Sequence, residues 1–150
     1  MKLTLYHHPL SAAIRDAVRI FSRMGFDVAS GPEIEDEWHN FTALNVPKDH
    51  PARDMQDTFW LPDGRVLRTH TSPVQIRWMK THSPPIRIIA PGKVFRNEAT
   101  DMTHEAQFYQ LEGLVVSEDT TLAHLKWVLE TFFSEFFDSA VEVRLRPSFF

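Results

Sequence analysis

Cysteine is absent from the 150 residues, which excludes a disulfide scaffold and any thiolate metal site and fits a reducing compartment, with the cytoplasm as the expected location. No apolar run is long enough to span a membrane, and the opening MKLTLYHHPL lacks the sustained apolar core of a signal peptide. No membrane partner is expected. A basic excess is missing as well: 16 Lys and Arg face 20 Asp and Glu, for a formal charge of -4. This argues against a free-standing, nonspecific nucleic-acid binder, which needs a basic footprint, and leaves room for specific RNA contact within a larger assembly. There is no internal repeat, no HExxH and no GxSxG. Eight histidines are present, yet the His-Glu pair of THE has no second ligand at helical spacing, so no integral metal site is expected. Ser72 is a weak nucleophile candidate, because a serine at a helix N-cap has its oxygen engaged by backbone.

What is present is apolar supply. Hydrophobic residues make up 43% of the chain, with twelve Phe, enough for one compact domain, and ten Pro favour a mixed α+β design. Leu10, Ile14, Ala17, Val18, Phe21 and Met24 recur at helical spacing, with Gly25 placed to end the helix. FDVA (26–29) reads as a short strand ending at Gly31-Pro32, and a second helix is expected from about residue 35 to 44. After the long loop 45–56, DTFWL and RVLRTH read as two strands around Pro62-Asp63-Gly64. In SPVQIRWMKTH, Ser72 is the expected N-cap, Pro73 the first helical residue and Gln75 the partner of a capping box. IRIIA (86–90) is a β-branched strand, a hairpin of about 93–98 and 107–116 follows, and Leu122 to Phe137 carry the stripe of a long helix. VEVRLRP is expected to close the fold as a strand, completing an antiparallel β-sheet flanked by helices. RLRPSFF stays apolar to its last residue, so the chain is expected to continue in a parent protein.

The hairpin carries the chemistry. Strand side chains alternate faces, so Val94, Arg96 and Glu98 share one side with Phe108, Gln110, Glu112 and Leu114, while Phe95, Tyr109, Leu111 and Val115 take the other for packing. A solvated sheet face with cross-strand ion pairs satisfies the same pattern. Two features point toward a ligand: a long polar tip with Asp101, Thr103, His104 and Glu105, and the THTSP segment that delivers His70 and Thr71 to a helix start. Free N–H groups and the helix dipole there favour an anion or carboxylate, although a plain helix start accounts for Ser72-Pro73 equally.

GFDVASGPEIEDEWHNFTALNVPKDHPARDMQDTFWL, LRTHTSPVQIRWM and PGKVFRNEATDMTHEAQFYQLEGLVV together resemble the catalytic core of the bacterial-type phenylalanyl-tRNA synthetase α-subunit family, within the class II aminoacyl-tRNA synthetases. The likeness runs from about Pro9 to Phe150. It implies a first motif at about 11–32, helix, strand and Pro32 at a dimer interface, and a second at about 93–116. It implies that Arg96 holds the ATP α-phosphate, that Glu98 reads the adenine amino group, that Phe108 stacks on adenine and that His104 contacts phosphate from the tip. Gln110 and Glu112 would hold the ammonium of phenylalanine, with Trp60, His70 and Ser72 forming the rest of the amino-acid site. Arg96 and His104 are then the catalytic candidates.

ATP, Mg2+, phenylalanine, tRNA and a separate β subunit in an α2β2 assembly are the implied ligands and partners. The chemistry fits the residue types. Attack of a carboxylate on phosphorus brings anions together, so alignment and charge neutralisation dominate, and a guanidinium fork suits this better than an ammonium. The family's third motif, with its second ATP-binding arginine, does not occur in these residues, nor does the tRNA-binding coiled coil. At most feeble activation by the 150 residues alone is therefore expected. The rival expectations are a catalytically inactive synthetase-like module for dimerisation or regulation, and a ligase for another amino acid.

Overall fold

The structure is a computed structural model that describes residues 12–54, 57–97 and 106–147. Helix α1 (Ala12–Arg23) buries Ala17, Ile20 and Phe21. It ends at Gly25, whose φ of 82° is the left-handed conformation that glycine adopts without a Cβ penalty. There the Phe26 N–H donates to Phe21 O and the Gly25 N–H to Ser22 O, a Schellman closure. Its hydrophobic contact is the edge-on pair Phe21–Phe26, with ring centroids 5.2 Å apart.

The main sheet has the order β1 (Asp27–Val28), β4 (Ile86–Phe95), β5 (Gln107–Val116). β4 and β5 pair antiparallel from Ile86↔Val116 to Phe95↔Gln107, and β1 adds a short parallel edge at Ile88 and Ile89. The sheet is therefore mixed: its main pair has the expected antiparallel sense. A second ladder joins β2 (Ile34–Glu35) to β3 (Val66–Leu67), antiparallel. On one face of β4, Ile86, Ile88 and Ala90 pack with Ala29 and Val74 beneath α3 (Ser72–Met79). On the other, Ile89 packs with Phe21 and Phe26, covered by Val128 and Phe132 of α4 (Leu122–Phe136). No helix among the described residues is long and apolar enough to cross a membrane.

Several elements differ from expectation for identifiable reasons. IRIIA and the first hairpin arm are one ten-residue strand despite Pro91. Ile89 O accepts the Ala29 N–H on the β1 side, and Pro91 has the same parity, so its missing N–H faces the side where β1 has already ended. The helix expected over 35–44 is one turn, α2 (Glu37–Asn40), because the buried Phe41 leaves helical geometry with φ -134° before a 3-10 turn at Thr42–Leu44. The hairpin around Gly64 forms, but only the Trp60↔Val66 bridge and β3 are strand-like, since β3 pairs with β2 as well. Residues 141–147 are not a strand: Ser134 Oγ and Glu130 Oε1 accept the N–H groups of Val141 and Val143 in place of a neighbouring strand. The expected capping box at α3 does not form either. Thr71 is the N-cap and has no side-chain capping bond.

Candidate functional site

The register settles which side chains share a face. Val94 lies opposite Phe108, Gly92 opposite Gln110 and Ala90 opposite Glu112. Val94 and Ala90 are buried on the α3 side, so Phe108, Gln110 and Glu112 of β5 stand on that same side. Beyond the strand end, Arg96 lies diagonal to Phe108, its guanidinium carbon 4.9 Å from the ring centroid. Glu98 and His104, with the rest of the tip, lie outside the described residues.

The capping box is missing because Thr71, not Ser72, is the N-cap, and Ser72 and Gln75 turn instead to β5. Ser72 Oγ donates to Glu112 Oε2 at 2.7 Å and Gln75 Nε2 donates to the same oxygen at 2.6 Å. The i, i+3 spacing that suits a box also places both side chains on one helix face, where the Ser72 O–H and the Gln75 amide N–H find a charged acceptor. Just upstream, the Thr71 N–H donates to Gln110 Oε1 at 3.3 Å. One turn at the start of α3 thus fixes Gln110 and Glu112 of β5.

His70 is held in front of this turn by its neighbour. Thr69 N–H donates to Asn40 Oδ1 at 3.3 Å while Asn40 Nδ2 donates to Thr69 Oγ1 at 3.1 Å, and Asn40 is fully buried. Burial pushes the His70 pKa below its ordinary value; the Glu112 charge opposes this and the Arg96 charge adds to it. His70 Nδ1 and Thr71 Oγ1 are buried polar atoms without a hydrogen-bond partner. Trp60 makes its contacts elsewhere, donating from Nε1 to Arg53 O at 3.1 Å and lying 6.3 Å from the Phe41 ring. Arg53 in turn bonds Glu37 at 2.7 Å and the Val46 carbonyl, which ties down the loop leading to Trp60.

The structure therefore joins Ser72 directly to Glu112, ties Gln110 to the adjacent Thr71 N–H, sets His70 in the field of Glu112 and Arg96, and puts Arg96 on Phe108. Trp60 is tied instead to Arg53, Phe41 and Val66. Gln75, Asn40 and Arg53 were missed as supporting residues; only Gln75 had a signal, in its spacing from Ser72. Glu35, Asp36 and His39 bring ligand-type atoms within 4.8 Å of one another. Arg77 already forks onto the Glu35 carboxylate, and Asp36 accepts the His39 N–H and contacts its Nδ1 at 2.7 Å, so a cation occupies this cluster as a side chain. A wide apolar groove between α1 and α4, about 1120 Å3 and lined by Ile14, Phe21, Val128 and Phe132, lies on the opposite face of the sheet and carries none of the polar set.

The tRNA synthetases class II core domain (F) family matches residues 2–150. Phenylalanine–tRNA ligase alpha subunits are 55% identical over 149 residues in Rhizorhabdus wittichii and 57% identical over 150 in Erythrobacter litoralis. In each case the match covers 95% of this chain and 41% of the relative. That of Synechocystis sp. is 51% identical over 143 residues, covering 95% of this chain and 43% of its own. The chain thus spans about two fifths of these curated relatives. Pyrrolysyl-tRNA synthetase from Desulfitobacterium hafniense superposes with a TM-score of 0.65 at 22% identity, over 90% of this chain and 48% of that one. At that identity the likeness concerns the fold alone. By its sequence match over nearly its whole length, this chain belongs to the class II tRNA synthetase core-domain family (F).

Proposed function

We propose that this chain supplies the ATP-facing and amino-group-facing part of a phenylalanine–tRNA ligase α subunit, which activates phenylalanine to its adenylate and passes it to tRNA. The observation that carries the reading is Glu112, a carboxylate pinned by Ser72 and Gln75 on the face that also presents Gln110, Phe108 and Arg96. Both bonds fall on Oε2, so Oε1 is the acceptor offered to an ammonium, and Gln110 lies one pleat away to share it. A carboxylate and an amide around an ammonium give charge-assisted bonds that a solvated sheet face would not need to preposition.

The phosphate end follows from Arg96. As the substrate carboxylate oxygen attacks the α-phosphorus and the bond to pyrophosphate breaks, negative charge spreads over the phosphate oxygens, and a guanidinium aimed there stabilises that spread. Phe108 supplies an apolar plate for the adenine ring. Glu98 on the adenine amino group and His104 on phosphate complete the proposed set, and Mg2+ enters with ATP as part of the substrate. Trp60, His70 and Ser72 bound the amino-acid end. The proposal extends to tRNA, to a β-subunit partner in an α2β2 assembly and to the cytoplasm as the location. The span 1–150 is proposed to be a partial catalytic domain with its first two motifs, weak or inactive in adenylate formation by itself.

The test is ligand binding by the chain before and after Arg96→Ala. Loss of ATP binding with an unchanged circular dichroism spectrum is expected. Unchanged binding of ATP and phenylalanine would overturn the reading and favour an inactive interaction module. Phenylalanine-dependent pyrophosphate exchange by the 150 residues at a rate typical of synthetases would overturn the dependence on further motifs.

A further inference from the structure

Arg68 is a buried cation, 3% exposed, whose side chain bonds to backbone carbonyls. Its Nε donates to Lys93 O at 2.7 Å, and its Nη1 donates to Gly31 O at 3.1 Å and Pro32 O at 3.2 Å. Its own main chain adds two bonds: Arg68 N–H to Glu33 O and Phe95 N–H to Arg68 O, each at 2.9 Å. One residue therefore ties the 31–33 turn to residues 93 and 95 of β4, immediately before Arg96. Gly92 is shaped for this contact. A Cβ there would lie 2.0 Å from Arg68 Nη2, so any side chain would evict the guanidinium. Gly92 is also the residue facing Gln110 across the ladder.

A buried charge placed among carbonyls is expensive to desolvate, and it stabilises a fold less well than apolar packing of the same volume. What a guanidinium does supply is direction: several donors in one rigid plane, each satisfied by a carbonyl at a fixed bearing. We propose that Arg68 is a positioning residue of the site, holding the end of β4 against the Gly31–Pro32 turn so that Arg96 stands at a fixed distance from Gln110 and Glu112. The inference rests on the function proposed above, since it is the phosphate arm and the ammonium pocket whose spacing Arg68 sets. Its side chain touches no reacting atom. Its effect is on alignment, where an error of about 1 Å costs on the order of 100-fold in rate.

Arg68→Lys keeps the charge and loses the fork; Gly92→Ala keeps Arg68 and displaces it. In the assembled full-length enzyme, both variants are expected to lower kcat for phenylalanine-dependent pyrophosphate exchange by about 10- to 100-fold while KM for phenylalanine moves less than about 3-fold. A purely structural role would lower the thermal midpoint and leave kcat of the folded enzyme intact, and that result overturns the proposal. Amide hydrogen exchange, read on the same proteins, serves as the second measurement. Exchange at Phe95 and Arg96 is expected to accelerate at least about 10-fold more than at Ile88 and Ile89, because only the strand end loses its anchor. Uniform acceleration, or none, overturns the proposal whether or not the enzyme turns over. A wild-type enzyme with no phenylalanine-dependent exchange would instead refute the functional reading, and the exchange pattern would still decide the role of Arg68.

Discussion

Glu112 is where the physical demands of folding and of the proposed ligand recognition meet. Its carboxylate is held by Ser72 and Gln75 through one oxygen, which fixes its orientation without neutralising its charge. Replacing it with glutamine keeps the shape and most hydrogen bonding, so Glu112→Gln is expected to leave the unfolding midpoint nearly unchanged. Loss of a charge-assisted bond to an ammonium, about 1.5–3 kcal/mol, should raise KM for phenylalanine about 10- to 100-fold with little change in KM for ATP. Steady-state pyrophosphate exchange by the assembled full-length enzyme, with each substrate varied separately, checks this. His70 gives a prediction in pH. Burial lowers its pKa in the folded state, the Glu112 charge only partly opposing this, whereas the unfolded chain keeps the ordinary value of 6.5. The unfolded state therefore binds a proton first as pH falls, and the stability that neutral His70 permits is present above 6.5 and lost on descending from there toward the depressed folded pKa. His70→Gln should flatten that part of the stability curve, measured as urea midpoints from pH 8 down to about pH 5.

At the scale of elements, the Arg77–Glu35 pair bolts α3 to β2. Glu35 is fully buried while the Arg77 side chain is 37% exposed, so the two partners are not equivalent. Removing Arg77 takes the forked partner from a buried carboxylate and leaves it the field of Arg68, so Arg77→Met should cost up to about 3 kcal/mol; Glu35→Gln leaves a cation that can turn to water and should cost less. Denaturant midpoints of the two variants decide it, and a larger loss for Glu35→Gln would contradict the argument. The same element shows what was and was not legible in the chain. Strand parity over 94–96 and over 108–114 follows from a period of two and needs no tertiary information, so the common side within each strand could be read directly, whereas the face that the two strands share waited on their register. The Schellman end of α1 was equally local, because Gly25 decides it. The start of α3 was not. Ser72 could accept from the helix backbone as a cap or donate to a distant carboxylate, and its donation to Glu112 depends on a strand forty residues away. The closing segment at 141–147 failed for the same reason: extended propensity makes a strand only where a partner edge is available. Family likeness, not periodicity, supplied the identity of the ligands.

Across the whole molecule, the three-stranded sheet separates scaffold from site. On the α1–α4 side, Phe21 stacks on Phe132 with centroids 4.6 Å apart and packs edge-on to Phe26, and Ile89 is fully buried beneath them. On the α3 side, the polar set is pinned by Ser72, Gln75 and Thr71. Side chains on opposite faces of one strand point apart, so a cavity on the first side should not reach the hydrogen bonds on the second unless β4 itself bends. Phe132→Ala is therefore expected to cost up to about 3–5 kcal/mol, less the share already exposed to water, and to leave phenylalanine affinity of the folded protein unchanged. Ser72→Ala should do the reverse in kind, weakening phenylalanine binding with a smaller stability loss. Combined, the two should add to within about 0.5 kcal/mol, because the sites share no partner. A double-variant stability departing from the sum by more than about 1 kcal/mol would mean that the sheet transmits strain between its faces. The site would then depend on how α4 is seated as well as on its own side chains.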